Sequence, residues 1–342
     1  SLEHVTIAYN KALGIDYGHS NIINSIVQDA DNSNFVNLVT GGSFDNSVSA
    51  ESVFAQNMVS DNGGWVYTLQ LQSASAAVNA IQSASLTNYD ARGFLVYGLR
   101  DLGAYESNAV VAINKNRPDL VYTNIQAAID AGRNGETIEL VDSRITSEFF
   151  GVTGGVITVN KSLNIVGNGA TLDAGGNSGI FQINDGKNNV ISVGIQDVTL
   201  INGAAAMGGA INNAENLLLN NVNIHNNTAT VAGGAIYNNG GNIFINYSAI
   251  ANNSSNGNGG AINSLKGNVE IYYSSLTQNQ SRGNGGAISV ENGALRVNAS
   301  TLSHNIAQGN GGAIAVVNGS LLSESNTLAY NSASSGGAIY AN

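Results

Sequence analysis

The sequence predicts an all-β chain folded as a parallel β-helix, a solenoid of about 26 residues per coil with one short capping helix. Three observations predict it. The tetrapeptide GGAI begins at Gly208, Gly233, Gly259, Gly285, Gly311 and Gly336, at steps of 25, 26, 26, 26 and 25. Apolar columns keep the same time: Leu217, Ile243, Val269, Leu295 and Leu321 are 26 apart, as are Ile224, Ile250, Leu276, Leu302 and Leu328. Within each period apolar residues alternate, as in NIFINYS and ALRVNAS, the two-residue period of strands and not the i, i+3, i+4 period of helices.

Each coil therefore reads as three short strands separated by Gly/Asn/Ser turns, stacked in parallel at about 4.8 Å per coil. Inward side chains bury against the coils above and below, so the core is one continuous column. The Gly pairs supply positive φ at a corner. A third column, Leu219, Ile245, Ile271, Val297 and Ser323, stays apolar until its last member. Asn227, Asn253, Asn279, Asn305 and Asn331 form a fourth, read as a stacked amide ladder that satisfies turn backbone groups.

Upstream of the regular coils, GETIELVDS, GVITVNKSLNIVGNGATLDA and VISVGIQDVTLING alternate in the same way at uneven spacing, as first coils of the same solenoid. Before them, in YTNIQAAIDAGRNG, Ile125, Ala128 and Ile129 share one helical face. Thr123 or Asn124 is placed to N-cap and Gly132 to end the helix. Such a helix covers the open apolar end of the first coil.

Composition narrows the function. The chain of 342 residues carries 43% apolar residues, one proline and 42 glycines, a folded rather than a disordered composition. Its net charge of −11, with only 12 scattered Lys/Arg, excludes a nucleic-acid binder. Charge is uneven: residues 1–203 hold 19 of the 23 acidic residues, residues 204–342 the other four. No apolar run approaches 18 residues, so no membrane span is expected in this segment. The N-terminus has no basic-then-apolar leader, which suggests a segment whose targeting sequence lies elsewhere. The absence of cysteine removes disulfides and thiolate metal sites.

The order of motifs resembles that of bacterial right-handed parallel β-helix surface proteins: IQAAIDAG…GETIEL…VNKSLNIVGNGATLDAGG…VTLINGAAAMGGAI, then GGAI coils. The repeat is also similar to that of polymorphic outer-membrane proteins and adhesin passengers, which pair GGA(I/L/V) with FxxN. Here (I/L)xxN stands in the second place, as in LTQN and LSHN. Residues 1–110 resemble the closing end of the same family. In DARGF…DLGAYE, Asp90, Arg92, Gly93, Asp101, Gly103, Tyr105 and Glu106 match the closing-module signature, with SAAVNA in place of its Pro-containing stretch. The resemblance implies a right-handed β-helix at the bacterial cell surface, extracellular.

The closing module thus precedes the opening helix. The expected organisation is 1–30 as late coils completing a preceding unit, 31–110 as closing module, 111–135 as linker and capping helix, and 136–342 as β-helix. Joining Asn342 to Ser1 gives GGAIYANSLEHVTIAYN, in which Ile7 and Asn10 fall in the IxxN columns, 21 residues after Leu328. The expected partner is then another copy of the chain, end to end in a tandem array or filament. The junction is formed by Ser1, Leu2, Ile7 and Asn10 of one unit with Gly336, Gly337, Ile339 and Asn342 of the other.

Enzymatic chemistry finds little footing. Polysaccharide-cleaving sites need paired carboxylates or acids holding Ca²⁺ on neighbouring coils. The regular coils offer Glu215, Glu270, Glu291 and Glu324, the last three in different phases of the repeat. No cofactor and no catalytic residue is expected. Calcium among Asp16, Asp29, Asp31, Asp45 and Asp61 is the one metal reading, with a solvated acidic region as the alternative. His225, His304, His4 and His19 read as scattered solvated residues. Tyr272, Tyr273, Tyr247, Tyr237 and Tyr340 offer a carbohydrate-stacking stripe or plain cross-coil packing, Tyr247 and Tyr273 being one coil apart. The function expected is a structural or adhesive extracellular rod, with glycan or host binding as the second reading and a polysaccharide-active enzyme as the third.

Overall fold

Alternating apolar side chains leave a strand with one face to bury, and a 26-residue repeat stacks that face on its copy one coil away. The computed structural model of the chain describes residues 111–342 apart from 142–143, 147–149, 151–154 and 188–189. Before residue 111 it describes only the short strands named below. Residues 112–342 form one unit and residues 1–111 another.

The larger unit is a β-solenoid of about seven turns. Three sheets run along it. The first takes in Leu163–Asp173, Ser192–Ile201 and Asn216–His225, and then a split strand in each later coil: Ile243–Asn246 with Ala249–Ala251, Val269–Tyr272 with Ser275–Thr277, Ala294–Asn298 with Thr301–Ser303, and Ser320–Glu324 with Thr327–Ala329. The second has eight strands, from Ile157–Val159 to Ile339–Ala341. The third has five, from Ala204–Met207 to Ile306–Ala307. All pairings along these stacks are parallel, and the register carries the predicted columns: Leu217 opposite Ile243, Ile243 opposite Val269, Val269 opposite Leu295 and Leu295 opposite Leu321. The inward members are 0–2% exposed through Leu295, and burying each such side chain stabilises by about 1.5–3 kcal/mol. The earlier coils are uneven as expected, with Leu163 opposite Val193 and Val193 opposite Leu217.

The GGAI corner has a simple cause. Its first glycine sits at φ +60° to +71° in every copy, a region that disfavours a Cβ. Its second lies so close to the coil above that a Cβ on Gly260 would fall inside the Gly286 carbonyl oxygen.

At the start of the larger unit the chain forms an antiparallel pair, Ala112–Asn114 with Arg117–Tyr122, followed by the only described helix, α1 (Ile125–Ala131). Asn124 is its N-cap, its side chain accepting from the Ala127 amide at 2.8 Å, and Gly132 closes it. Ile125, Ala128 and Ile129 are fully buried. The Gln126 side chain behaves like a length of strand: its amide donates to the Thr158 carbonyl at 3.0 Å and its oxygen accepts from the Thr158 N–H at 2.8 Å. The first coil's edge is thereby satisfied by a side chain and closed to further strands.

The turn after α1 is tied by Glu136. Arg117 reaches its carboxylate through both Nε (3.0 Å) and Nη2 (2.7 Å), while Asn114 Nδ2 and the Arg133 N–H each donate at 2.8 Å. The Arg117 hydrogen bond first, then the Arg133 amide and Asn114, hold the Glu136 carboxyl down to about 2. A carboxyl depressed in the folded state contributes stability that is whole above its unfolded value near 4.5 and is lost as pH falls through about 2. Protection factors of the amides of residues 125–131, taken against the intrinsic exchange rate at each pH, should therefore fall between pH 4.5 and 2 in the native chain. In Glu136→Gln they should be lower already at pH 4.5 and change much less over that interval; an equal pH dependence in both would exclude Glu136 as the cause.

In the smaller unit, Leu2–Glu3 pairs in parallel with Ile22–Ile23, and Thr6–Ile7 with residues of Ser25–Gln28, both at a 20-residue step. Ser25–Gln28 then pairs antiparallel with Phe35–Thr40, and that strand with Ser43–Ser49; Leu95–Val96 pairs antiparallel with Ala109–Val110. Ser1, Asn10 and the signature residues Asp90, Arg92, Gly93, Asp101, Gly103, Tyr105 and Glu106 lie outside the described residues.

Candidate functional site

A stack of identical coils repeats its polar groups as faithfully as its apolar ones, so buried side chains can bond from coil to coil. Asn253, Asn279 and Asn305 do this in one pattern. The backbone N–H and Nδ2 of each donate to Oδ1 of the asparagine one coil on, at 3.0–3.1 Å, ending on Asn331. Nδ2 of each also reaches a carbonyl 29 residues back, Ile224, Ile250 or Leu276, at 2.9–3.0 Å. Asn227 begins the series, accepting from the Gly203 N–H at 2.7 Å. Asn227, Asn279 and Asn305 are fully buried and Asn253 nearly so.

Two further series escaped the sequence reading. Ser248, Ser274 and Ser300 each accept on Oγ from the backbone N–H one coil earlier (3.1–3.2 Å) and donate to the carbonyl two residues back (2.7–2.8 Å). Asn216, Asn242 and Asn268 accept on Oδ1 from the N–H one coil later, at 3.0–3.1 Å. Their 26-residue spacing was present in the sequence, but Ser and Asn are so common in these turns that the columns did not stand out.

The residue before each serine of the ladder, like its counterparts in the coils before and after, makes an outer corner. Asp197, Asn221, Tyr247, Tyr273, Ala299 and Ser325 all have φ between +48° and +56°. This left-handed conformation suits Asn and Asp and is uncommon for bulky residues. The two tyrosines point outward, 58% and 56% exposed, and their rings stack at 5.2 Å between centroids and 11° between planes. Beside them runs a groove of about 820 Å³, whose lining includes Thr199, Asn223, Ala249, Ser275 and Thr301, one residue per coil in register. Asp197 is its one charged lining residue, and its carboxylate accepts from Asn221 Nδ2 at 2.7 Å and Gln196 Nε2 at 3.1 Å.

The five tyrosines do not form one stripe. Tyr237 is buried, and Tyr272 lies against Phe244 (centroids 5.2 Å) beneath the Arg296 guanidinium (5.7 Å). The Tyr272 hydroxyl donates to Glu270 at 2.7 Å, and that bond to a carboxylate raises its pKa. A smaller groove of about 400 Å³ runs past Leu218 and Phe244, which are 46% and 38% exposed. On the next outer corner His304 stacks on Tyr330 at 4.9 Å.

Two of the glutamates, Glu270 and Glu324, act on the same Tyr272 hydroxyl, with Arg296 opposite Glu270 in register. Glu270 bonds Tyr272, Glu324 meets Arg296 at 3.3 Å, and Glu215 is buried, accepting from the Asp185 and Ile191 amides at 3.2 and 3.1 Å. Among the described residues no three His, Cys, Asp or Glu converge as metal ligands. Of the acids weighed for calcium, Asp45 lies on the strand Ser43–Ser49, while Asp16, Asp29, Asp31 and Asp61 lie outside the described residues. No described helix is long and apolar enough to cross a membrane.

The sequence profile of the Chlamydia polymorphic membrane protein (Chlamydia_PMP) repeat matches residues 221–239. This stretch runs from the outer corner at Asn221, through the first ladder asparagine and the GGAI turn at Gly233, to the end of the strand Ile236–Asn239. No curated protein and no solved structure matches the chain. The chain is a β-helix repeat protein resembling the polymorphic membrane proteins in that repeat.

Proposed function

We propose that this chain is a structural, adhesin-type β-helix exposed on a bacterial cell surface, with no catalytic role. The observation that carries the reading is the match of residues 221–239 to a surface-protein repeat, in a solenoid whose buried polar groups serve coil-to-coil bonding. Antibodies raised against residues 204–342 should label intact cells of the producing bacterium as strongly as permeabilised ones. Labelling confined to permeabilised cells would sink the proposal.

The finer form of this reading is an array in which the coil of residues 320–341 is continued by residues 2–7 of another unit. Leu295, Leu302 and Ile314 are 0–1% exposed. Their counterparts one coil later are less covered: Leu321 and Leu328 are half-buried and Ile339 is 36% exposed. The strands of this coil have no partner on their far side among the described residues. A 21-residue step from Leu328 to Ile7 is close to the 20-residue step by which Leu2–Glu3 and Thr6–Ile7 pair onward.

A further inference from the structure

The outer-corner column changes character midway. Asp197 and Asn221 are residue types at ease in the left-handed conformation, yet the next two coils place tyrosine there, and the one after places alanine. Cross-coil packing explains the contact between the two rings. It does not explain why two large aromatic side chains stand outward at a backbone position that disfavours them.

The alanine matters as much as the rings. The rings repeat at 5.2 Å, about the 4.8 Å spacing of the coils. The Tyr273 N–H bonds the Asn298 carbonyl, so Ala299 lies one coil beyond Tyr273, where a third ring would continue the stack. A methyl group there leaves a gap of one ring's thickness against the far face of Tyr273. The same coil contributes Thr301 to the groove floor, with Ser275 beside it. An aromatic face next to hydroxyls suits a ligand ring with apolar C–H groups on its face and hydroxyls at its edge.

Charge selects further. The groove lining contains no Lys or Arg, and its single carboxylate, Asp197, lies at the far end of the column and already holds two amide donors. An anionic ligand would find no partner, and a neutral polyhydroxylated one would.

We propose that the groove beside Tyr247 and Tyr273 binds a neutral oligosaccharide, with one pyranose ring stacked on Tyr273 in the gap over Ala299. The site deepens the adhesin reading and rests on the surface exposure that reading requires. Tyr273 supplies the stacking face, Thr301 and Ser275 supply hydroxyls, and Ala299 keeps the gap open.

The test is binding of the full chain to an array holding neutral gluco-, manno-, galacto- and xylo-oligosaccharides, uronic-acid and sialylated glycans, and the glycan-free carrier protein. The best neutral oligosaccharide is then titrated calorimetrically. Tyr273→Ala should weaken binding at least tenfold by removing the face. Ala299→Tyr should do the same by filling the gap, while extending the ring stack and keeping the native thermal unfolding. Ala299→Asn, a residue suited to this backbone, is the second filling variant should the tyrosine disturb folding. No binding to any neutral glycan, retention only by anionic glycans or by the carrier protein, or full affinity in a folded gap-filled variant would each overturn the proposal. Intact cells that label with antibody beside a chain that binds no neutral glycan would remove this site and leave the surface reading standing. Labelling only of permeabilised cells would remove that reading instead, whatever the array shows.

Discussion

Gly260→Ala is expected to prevent the regular coils from closing, a loss of more than about 4 kcal/mol, in the range reserved for changes with no local escape. The added Cβ would fall on the Gly286 carbonyl oxygen and within 2.6 Å of backbone atoms of Gln280. All three are main-chain atoms of the next coil, held by the ladder bonds that define the solenoid, so none can swing aside as a side chain would. Gly169→Ala is the comparison: there φ is +87° and nothing lies within 4 Å of the new Cβ. Only the conformational penalty of a positive φ remains, about 1–2 kcal/mol. Denaturant unfolding followed by circular dichroism should separate the two by several kcal/mol. Similar losses would mean that the coils are not packed as closely as the Gly-to-carbonyl contacts require.

Asn279→Ala is expected to cost about 3–5 kcal/mol, since each buried polar group left unpaired costs about 1–3 kcal/mol. The truncation takes the acceptor from the Asn253 backbone N–H and Nδ2, and the donor from the Ile250 carbonyl. No water reaches these groups, for Asn279 is fully buried. Asn331→Ala, at the half-buried end of the same series, should cost clearly less because solvent can replace part of what is lost. Equal losses at the two positions would show that the column contributes by helical turn geometry alone and not by burial of its bonds.

The contrast between these residues explains what could be read from the sequence. A position facing the interior of a solenoid meets its own copy above and below, so it is constrained to one residue type. Gly in the second place of GGAI, Asn in the ladder and Ile or Leu in the core columns therefore recur at a fixed spacing and announce the fold. The helix α1 was legible for the same reason: Ile125, Ala128 and Ile129 must lie on one face to cover a coil end. Outward positions carry no such constraint. The left-handed corner holds Asp, Asn, Tyr, Tyr, Ala and Ser in turn, so no sequence column revealed it, although the 26-residue spacing of Tyr247 and Tyr273 did place one above the other. The role of Gln126 as a side-chain substitute for a strand depends on an approach to Thr158 across 32 residues, which periodicity does not report. In the earlier coils the steps of 30 and 24 residues between Leu163, Val193 and Leu217 come from turns of different length, and these hide the period while leaving the alternation intact.

In its finer form the proposed function has one unit's last coil completed by the first residues of another. It is tested by a chain in which two copies are joined directly, Asn342 of the first to Ser1 of the second, with amide hydrogen exchange read at residues 320–341 of the first copy. The account predicts that Leu321, Leu328 and Ile339 of that copy become as protected as Leu295, Leu302 and Ile314 one coil earlier, while the second copy's last coil exchanges as in the single chain. Equal, unprotected exchange of the last coil in both copies would contradict it.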